Sequence, residues 1–525
     1  MTAQDVSDEI FSAYPAPIPE QEASPAAPDV PQNCSSATAT SNTPLRKHHK
    51  NQTVLSMSQV CRGWRQRLLS VGRFWRVIAF DTSREPASIR LATLFLNKIK
   101  HNDVLIHVYA GLPLNNVVDP AIASLLSSLR ERTSRWDRFL YWGSLGQYRR
   151  YLDLPAPRLQ FFSDNRDLSH LYHGRRCQLF AGHTPILRCL VTSTLGEWVP
   201  TTSASLRVLH LRVCEAGFSI GSLLDVFRYA TQLEEFKFAS PTDLSHDCMA
   251  CETVDLPRLK TIKLFSAHFR TILAHLRIPG VRSLAVSGVF LSGTAYGFEV
   301  APAYYAPLPL TGFPSVSMLD QPIRFIHFST IQRSPMRFFF TIELRTEDEA
   351  SIVINLTWTE AQQIDQWKVY FERSISALAG KQVAPCTILS IVAQFPFDFT
   401  PLLLLPAVRV FAFAGDFRTL LETLTFHGGE KNTPLLPNLR CLFAYEEILT
   451  EETALLIPKC LRARKDLIIV LNAVNRTRLI GVLGTGYVVR GKSTVLPPVL
   501  NRDPVHRLQV SRFSRADLRL RSSVS

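Results

Sequence analysis

The sequence predicts an α/β fold in which short strands alternate with helices and stack into a solenoid, each unit leaning on the next. Three observations predict it. A phrase made of a Pro or polar residue followed by L-x-x-L or L-x-x-F recurs along the chain. Its first apolar positions, Leu159, Leu187, Leu206, Leu233, Leu259 and Val281, lie 28, 19, 27, 26 and 22 residues apart. Between copies, apolar residues return at helical spacing, as in Leu223, Leu224, Phe227 and Ala230, or Phe269, Ile272, Leu273 and Leu276. One such unit has no core of its own, but a stack of them has a continuous one and leaves a face of strands free for docking.

Composition sets the bounds. With 525 residues, 46% of them hydrophobic and 19% charged, the chain can bury a large core and hold more than one domain. No apolar run reaches the roughly 18 residues that cross a bilayer, because Thr400–Phe413 is broken by Pro401, Pro406 and Arg409. The acidic start MTAQDVSDEIF has no signal-peptide core, so a cytoplasmic or nuclear, membrane-free protein is expected. The 10 cysteines are scattered, and Cys189 and Cys441 sit in strand-like apolar runs, which suits buried thiols in a reducing compartment.

In chain order, residues 1–50 read as a flexible arm rich in Pro, Ser, Thr and Ala. Six acids and no Lys or Arg fall in 1–44, whereas 45–76 carry eight Lys or Arg and no acid. Residues 51–82 form a small helical segment. In it Met57, Val60, Cys61, Trp64 and Leu68 share one helical face, and Arg62, Arg65 and Gln66 lie opposite. Gly72 ends the helix, and Phe74 and Trp75 lead into the apolar run Val77–Phe80.

The string Val60, Cys61, Arg62, Trp64, Arg65, then Gly72, Phe74 and Trp75, resembles the second half of the F-box as it occurs in the large fungal group of F-box proteins with leucine-rich repeats. The spacing of the repeat phrase is likewise similar to the ~20–29-residue period of leucine-rich repeats. The resemblance implies a substrate-recognition adaptor of a cullin-RING ubiquitin ligase. Its F-box-like helices would dock on the SKP subunit, through or supported by Leu55, Val60, Cys61, Trp64, Leu68, Phe74 and Trp75, and its repeats would present an unidentified protein substrate. An F-box normally opens on a leucine-proline dipeptide and an acidic, Ile-rich helix, echoed here only by Asp8, Glu9, Ile10 and Phe11, far upstream. A repeat scaffold without a ligase therefore stays open as a second function. A nucleic-acid binder using 45–76 and the basic tail is a third and less favoured one.

Residues 83–475 are read as the repeats. Pro86–Lys100 is a helix, Val104–Val108 a strand, and Pro120–Thr133 a helix with Ile122, Leu125, Leu126 and Leu129 on one face. The phrase copies follow, then an irregular insertion at about 290–400 that starts as a loop over Gly288–Ser317. Within it Arg337–Leu344 and Ala350–Leu356 read as a hairpin around an acidic turn. A helix capped by Thr359 and Gln362 presents Ile364, Trp367, Tyr370, Phe371 and Ile375. The phrase then returns before Val408 and Leu439, and 476–525 form a basic tail.

Two strings look chemical. Gly486–Ser493 matches G-x-x-x-x-G-K-S, but Pro497 and Pro498 leave no helix to face a phosphate. His246, Cys248 and Cys251 offer half a zinc site without a second pair. No catalytic constellation can be assembled, so no enzyme, cofactor or metal is expected.

Overall fold

The computed structural model describes residues 61–471 except 72–73, 82–85, 100–103, 114–118, 144–145, 166–177, 194–197, 199–203, 213–218, 241–252, 267–268, 291–321, 335–336, 349, 359–370, 373, 377–385, 394–397, 427–433 and 445–448. It also describes Ser56, Gln59, Leu479, Val482, 489–491 and 518–520.

Where the phrase recurs, the chain turns a corner and enters a strand. Leu159, Leu187, Leu206, Leu233, Leu259, Val281, Val408 and Leu439 are all buried, and each stands two residues ahead of a strand. In all of these but Leu206, the backbone N–H donates to the carbonyl three residues back, at 3.0–3.4 Å. The acceptors are Ala156, Thr184, Ala230, Leu256, Ile278, Leu405 and Leu436. Proline, whose ring presets the backbone angle that the second place of a turn requires, fills that place at Pro157, Pro185, Pro257, Pro279, Pro406 and Pro437. Consecutive corners touch: the Ser205 hydroxyl donates to the Pro185 carbonyl at 2.8 Å, and Asn438 Nδ2 to the Pro406 carbonyl at 3.0 Å. A Cβ at Gly280 would lie 2.7 Å from the Pro257 carbonyl oxygen, so the stack needs glycine there.

The strands are β1 (Val77–Asp81), β2 (Ile106–Gly111), β3 (Trp136–Trp142), β4 (Phe161–Asn165), β5 (Cys189–Thr192), β6 (Val208–Arg212), β7 (Glu235–Ala239), β8 (Val254–Asp255), β9 (Thr261–Phe265), β10 (Leu276–Arg277) and β11 (Ser283–Phe290). After them come β12 (Ile323–Ser334), β13 (Arg337–Thr346), β14 (Ser351–Trp358), β15 (Ile388–Ala393), β16 (Val410–Ala414), β17 (Cys441–Ala444), β18 (Ile468–Leu471), β19 (Val489–Gly491) and β20 (Leu518–Leu520). The α-helices are α1 (Arg62–Ser70), α2 (Pro86–Lys98), α3 (Pro120–Arg130), α4 (Ile220–Tyr229), α5 (Phe269–Ala274), α6 (Phe417–Phe426) and α7 (Glu451–Ala463).

All strands but β8 and β10 join one 18-stranded, mostly parallel sheet. From β1 to β7, then β9 and β11, each pairs in parallel with the next in chain order. The insertion breaks the order but not the sheet. β11 pairs in parallel with β14, and β13 runs antiparallel between β14 and β12. β12 then pairs in parallel with β15, from which β16, β17 and β18 continue. The foreseen hairpin is thus β13–β14, whereas β12 was not foreseen. Gly288–Phe290, expected to open a loop, instead finishes β11, and the first repeat strand starts at Ile106 rather than Val104.

One register row shows why the sheet holds. Ile78, Val108, Phe139, Phe162, Leu190, Leu209, Phe236, Ile262, Leu284 and Ile352 face one another across ten strands, and all are buried. Burying each such side chain is worth roughly 1.5–3 kcal/mol. Parallel strands added in order at one edge by right-handed crossovers put their connections on one face. The helices supply the cover: Ile122, Leu125, Leu126 and Leu129 of α3, and Leu223, Leu224 and Phe227 of α4, are buried in the same core as that row. Both helices start on a cap, with Asp119 Oδ1 accepting from the Ala121 N–H at 2.7 Å and Ser219 Oγ from the Ser222 N–H at 3.0 Å.

Arginines tie neighbouring helices together. Arg132, just beyond α3, donates to the Leu96 carbonyl at the end of α2. Arg464, just beyond α7, donates to Leu424 at the end of α6 at 3.3 Å, to Leu436 at 2.9 Å, and to Leu435. Each reaches a carbonyl in the last turn of the preceding helix, Leu96 or Leu424, where the intrahelical ladder runs out.

The aromatic centre lies under β3 and β4. Phe180, fully buried, meets Trp136, Phe139 and Phe162 edge-on, with centroids 6.0, 6.5 and 5.8 Å away. To place it there the chain makes a left-handed turn, with φ 55° at Phe180 and 51° at Ala181. An L-residue in that region costs roughly 1–2 kcal/mol. Ala181 is exposed, so Ala181→Gly removes strain without removing a contact. The expected result is a gain of about 0.5–1 kcal/mol in urea unfolding. An unchanged or lower stability would contradict the strain.

Candidate partner-binding surfaces

The N-terminal helix comes first. α1 exposes Arg62, Arg65 and Gln66, as the helical spacing requires. Cys61, expected on the apolar face, is exposed at the helix start, where its carbonyl accepts from the Arg65 N–H at 3.0 Å. Trp64 and Leu68 lie within α1, and Leu55 and Val60 lie outside the described residues. Beyond the helix, Trp75 is 2% exposed and meets Phe95 of α2 edge-on at 4.8 Å, and Phe74 packs half-buried against the same core. Trp75 therefore joins the N-terminal segment to the first strand-and-helix unit.

The second surface is the sheet face opposite the buried row. Its central register row runs Leu140, Ser163, Val191, His210, Lys237, Lys263 and Ala285, all half-buried. Charge gathers at β6 and β7, where Glu235 Oε1 lies 3.1 Å from His210 Nε2 and 2.5 Å from Lys237 Nζ. Burial, then the Lys237 charge, pushes the His210 pKa below its ordinary value of 6.5, and Glu235 opposes them only in part. Cys189, one strand before His210, is pushed up to about 12, chiefly by burial, so its sulfur is a neutral thiol rather than a nucleophile.

A pH prediction follows. Because the folded state lowers the His210 pKa, the unfolded chain takes up this proton more readily. His210's contribution to stability is full above about pH 6.5 and is lost as pH falls through that value towards its lower folded pKa. His210→Gln is therefore expected to lose less stability than the parent between pH 7 and 5 in paired urea titrations, and equal losses would refute the assignment.

Two further pairs were not legible in the sequence. His107 Nε2 lies 2.9 Å from Asp137 Oδ2 across β2 and β3, both buried. His327 Nδ1 and Ser390 Oγ are 3.0 Å apart across β12 and β15, with exposures of 3% and 2%. Glu343 stands opposite His327 in the register, which puts Ser, His and Glu in one row. The Glu343 carboxylate, however, pairs with Arg345, and the Ser390 hydroxyl has no opening to a substrate. The pair satisfies two buried polar groups and links two strands.

Among the described residues, no group of three His, Cys, Asp or Glu is placed to hold a metal, and no helix is long and apolar enough to cross a membrane. His246, Cys248 and Cys251 lie outside the described residues. Of the Gly486–Ser493 match, Val489–Gly491 is described and forms a strand antiparallel to β20. Compared with models of known protein families the chain matches none, and no curated protein matches it.

Proposed function

We propose that this chain is a non-catalytic recognition adaptor. Its leucine-rich-repeat-like solenoid holds a protein substrate on the open strand face, and its F-box-like N-terminal segment engages the SKP subunit of a cullin-RING ubiquitin ligase in the cytoplasm or nucleus. What supports this is one coincidence of sequence and geometry. The repeat phrase falls at the corner before β4, β5, β6, β7, β9, β11, β16 and β17, on both sides of the insertion, where stacked repeats would place it, and the sheet face opposite the buried row carries half-buried polar and apolar side chains. The burial of Trp75 on Phe95 adds that the F-box-like segment is anchored to the first unit.

The test is co-expression of the full chain with the SKP subunit. Co-purification is expected, and Leu68→Asp is expected to abolish it. Failure of the parent chain to co-purify would reject the adaptor and leave a scaffold that binds proteins without a ligase. One observation favours that second function: residues 45–60 lack the leucine-proline opening of an F-box.

A further inference from the structure

We propose that the edge on which β4 to β11 begin binds an extended acidic segment of a partner protein. The residue just before each strand is held in one column. The Arg207 N–H donates to the Arg188 carbonyl, Glu234 to Arg207, Lys260 to Glu234, and Arg282 to Lys260, at 2.8–2.9 Å. Such bonds space the column at about 4.8 Å per strand. Arg158 and Arg258 stand on the adjoining corners, and all six basic residues are exposed.

Glu234 is the single acid in the column. It is already occupied, with Lys260 Nζ at 3.0 Å and Arg207 at 3.6 Å. Arg158, Arg188 and Arg282 have no side-chain acceptor among the described residues. The column is therefore a line of positive charge with unspent donors.

At its β3–β4 end it opens into a cavity of about 730 Å³, lined by Asn97, Glu131, Arg132, Ser134, Arg135 and Arg158 among others. Arg132 and Arg135 are fixed there by donating to the Leu96 and Val104 carbonyls. Three arginines against one glutamate make it a seat for one anionic side chain, which would anchor the end of the segment. An acidic polypeptide fits better than a nucleic acid. Single-stranded nucleic acid is held largely by stacking on successive aromatic rings, whereas Arg188, Arg207, Lys260 and Arg282 of the column carry none, and Tyr229, exposed at the end of α4, is a single ring beside them.

The inference does not depend on the adaptor function, and its test involves no SKP subunit. The full chain would be titrated against a fluorescein-labelled Glu-Ser repeat peptide of roughly 16 residues, long enough to span the column, and against a labelled oligothymidine of similar length. Anisotropy is read at about 50 and about 200 mM salt. Binding to the peptide is expected, weakened about tenfold by Arg188→Ser with Arg282→Ser, two exposed changes that leave melting unaltered. Glu234→Gln, which removes the competing carboxylate, is expected to tighten it about threefold. Peptide binding that is absent or indifferent to both variants would overturn the proposal. So would oligothymidine binding tighter than the peptide and lost in the double variant, which would make the edge a nucleic-acid site.

Discussion

Trp75→Ala is expected to destabilise the N-terminal end of the sheet by about 3–5 kcal/mol. Trp75 is 2% exposed, its ring lies against Phe95, and it stands two residues ahead of β1, the first strand of the stack. Truncation leaves a cavity that Ile78, Phe95 and their neighbours cannot close without moving a strand. In urea unfolding the variant should show an early transition for the first strands, followed by the remainder at the parent midpoint, because β1, β2 and β3 each pair only with the strands beside them in the sheet. A Phe substitution, which keeps part of the ring, should recover about half of the loss. If Trp75→Ala unfolded like the parent, Trp75 would not be the joint between the helical segment and the sheet.

Gly143→Ala should be as damaging from a single methyl group. Gly143 follows β3 with φ +95°, and a Cβ there would stand 2.0 Å from the Leu112 carbonyl oxygen. The exit of β3 would have to pull away from β2, breaking the 2.9 Å bond from the Leu112 N–H to the Trp142 carbonyl. A loss of about 3 kcal/mol or more is expected, in addition to the cost of the left-handed backbone. Gly63→Ala is the control: it adds a methyl to open space in α1, with no neighbour within 4 Å, and should be neutral or slightly stabilising. Equal melting of Gly143→Ala and parent would show that the two strand exits are not in contact.

How much of this could be read from the residues depends on how local each feature is. The corners were legible because one proline, one buried leucine and one strand fall within five residues, and the same physics repeats them. The faces of α3 and α4 were legible because Ile122 to Leu129 and Leu223 to Phe227 lie within a few turns of helix. The β13–β14 hairpin was legible from its acidic turn.

By contrast, nothing local says that β12 pairs with β15 rather than with β11; that choice is made by partners such as Ile326 and Leu389, 63 residues apart. His327 meets Ser390 over the same separation. The left-handed turn at Phe180 and Ala181 contradicts the preference of both residues, and the aromatic packing around Phe180 imposes it. The basic column before the strands was hidden because its members, Arg188, Arg207, Lys260 and Arg282, are ordinary surface residues until the register stacks them.

The stacking of these units in a single line, from β5 to β17, is tested most directly by two distances between spin labels carried on unnatural amino acids at Arg188, Arg282 and Arg440, with the native cysteines left in place. Arg188 and Arg282 precede strands four steps apart in the sheet, which gives roughly 19 Å, and Arg188 and Arg440 are ten steps apart, which gives roughly 35–50 Å once curvature is allowed for. A second distance about twice the first is the predicted result. A second distance no longer than the first would mean that the strands do not follow one another in a line.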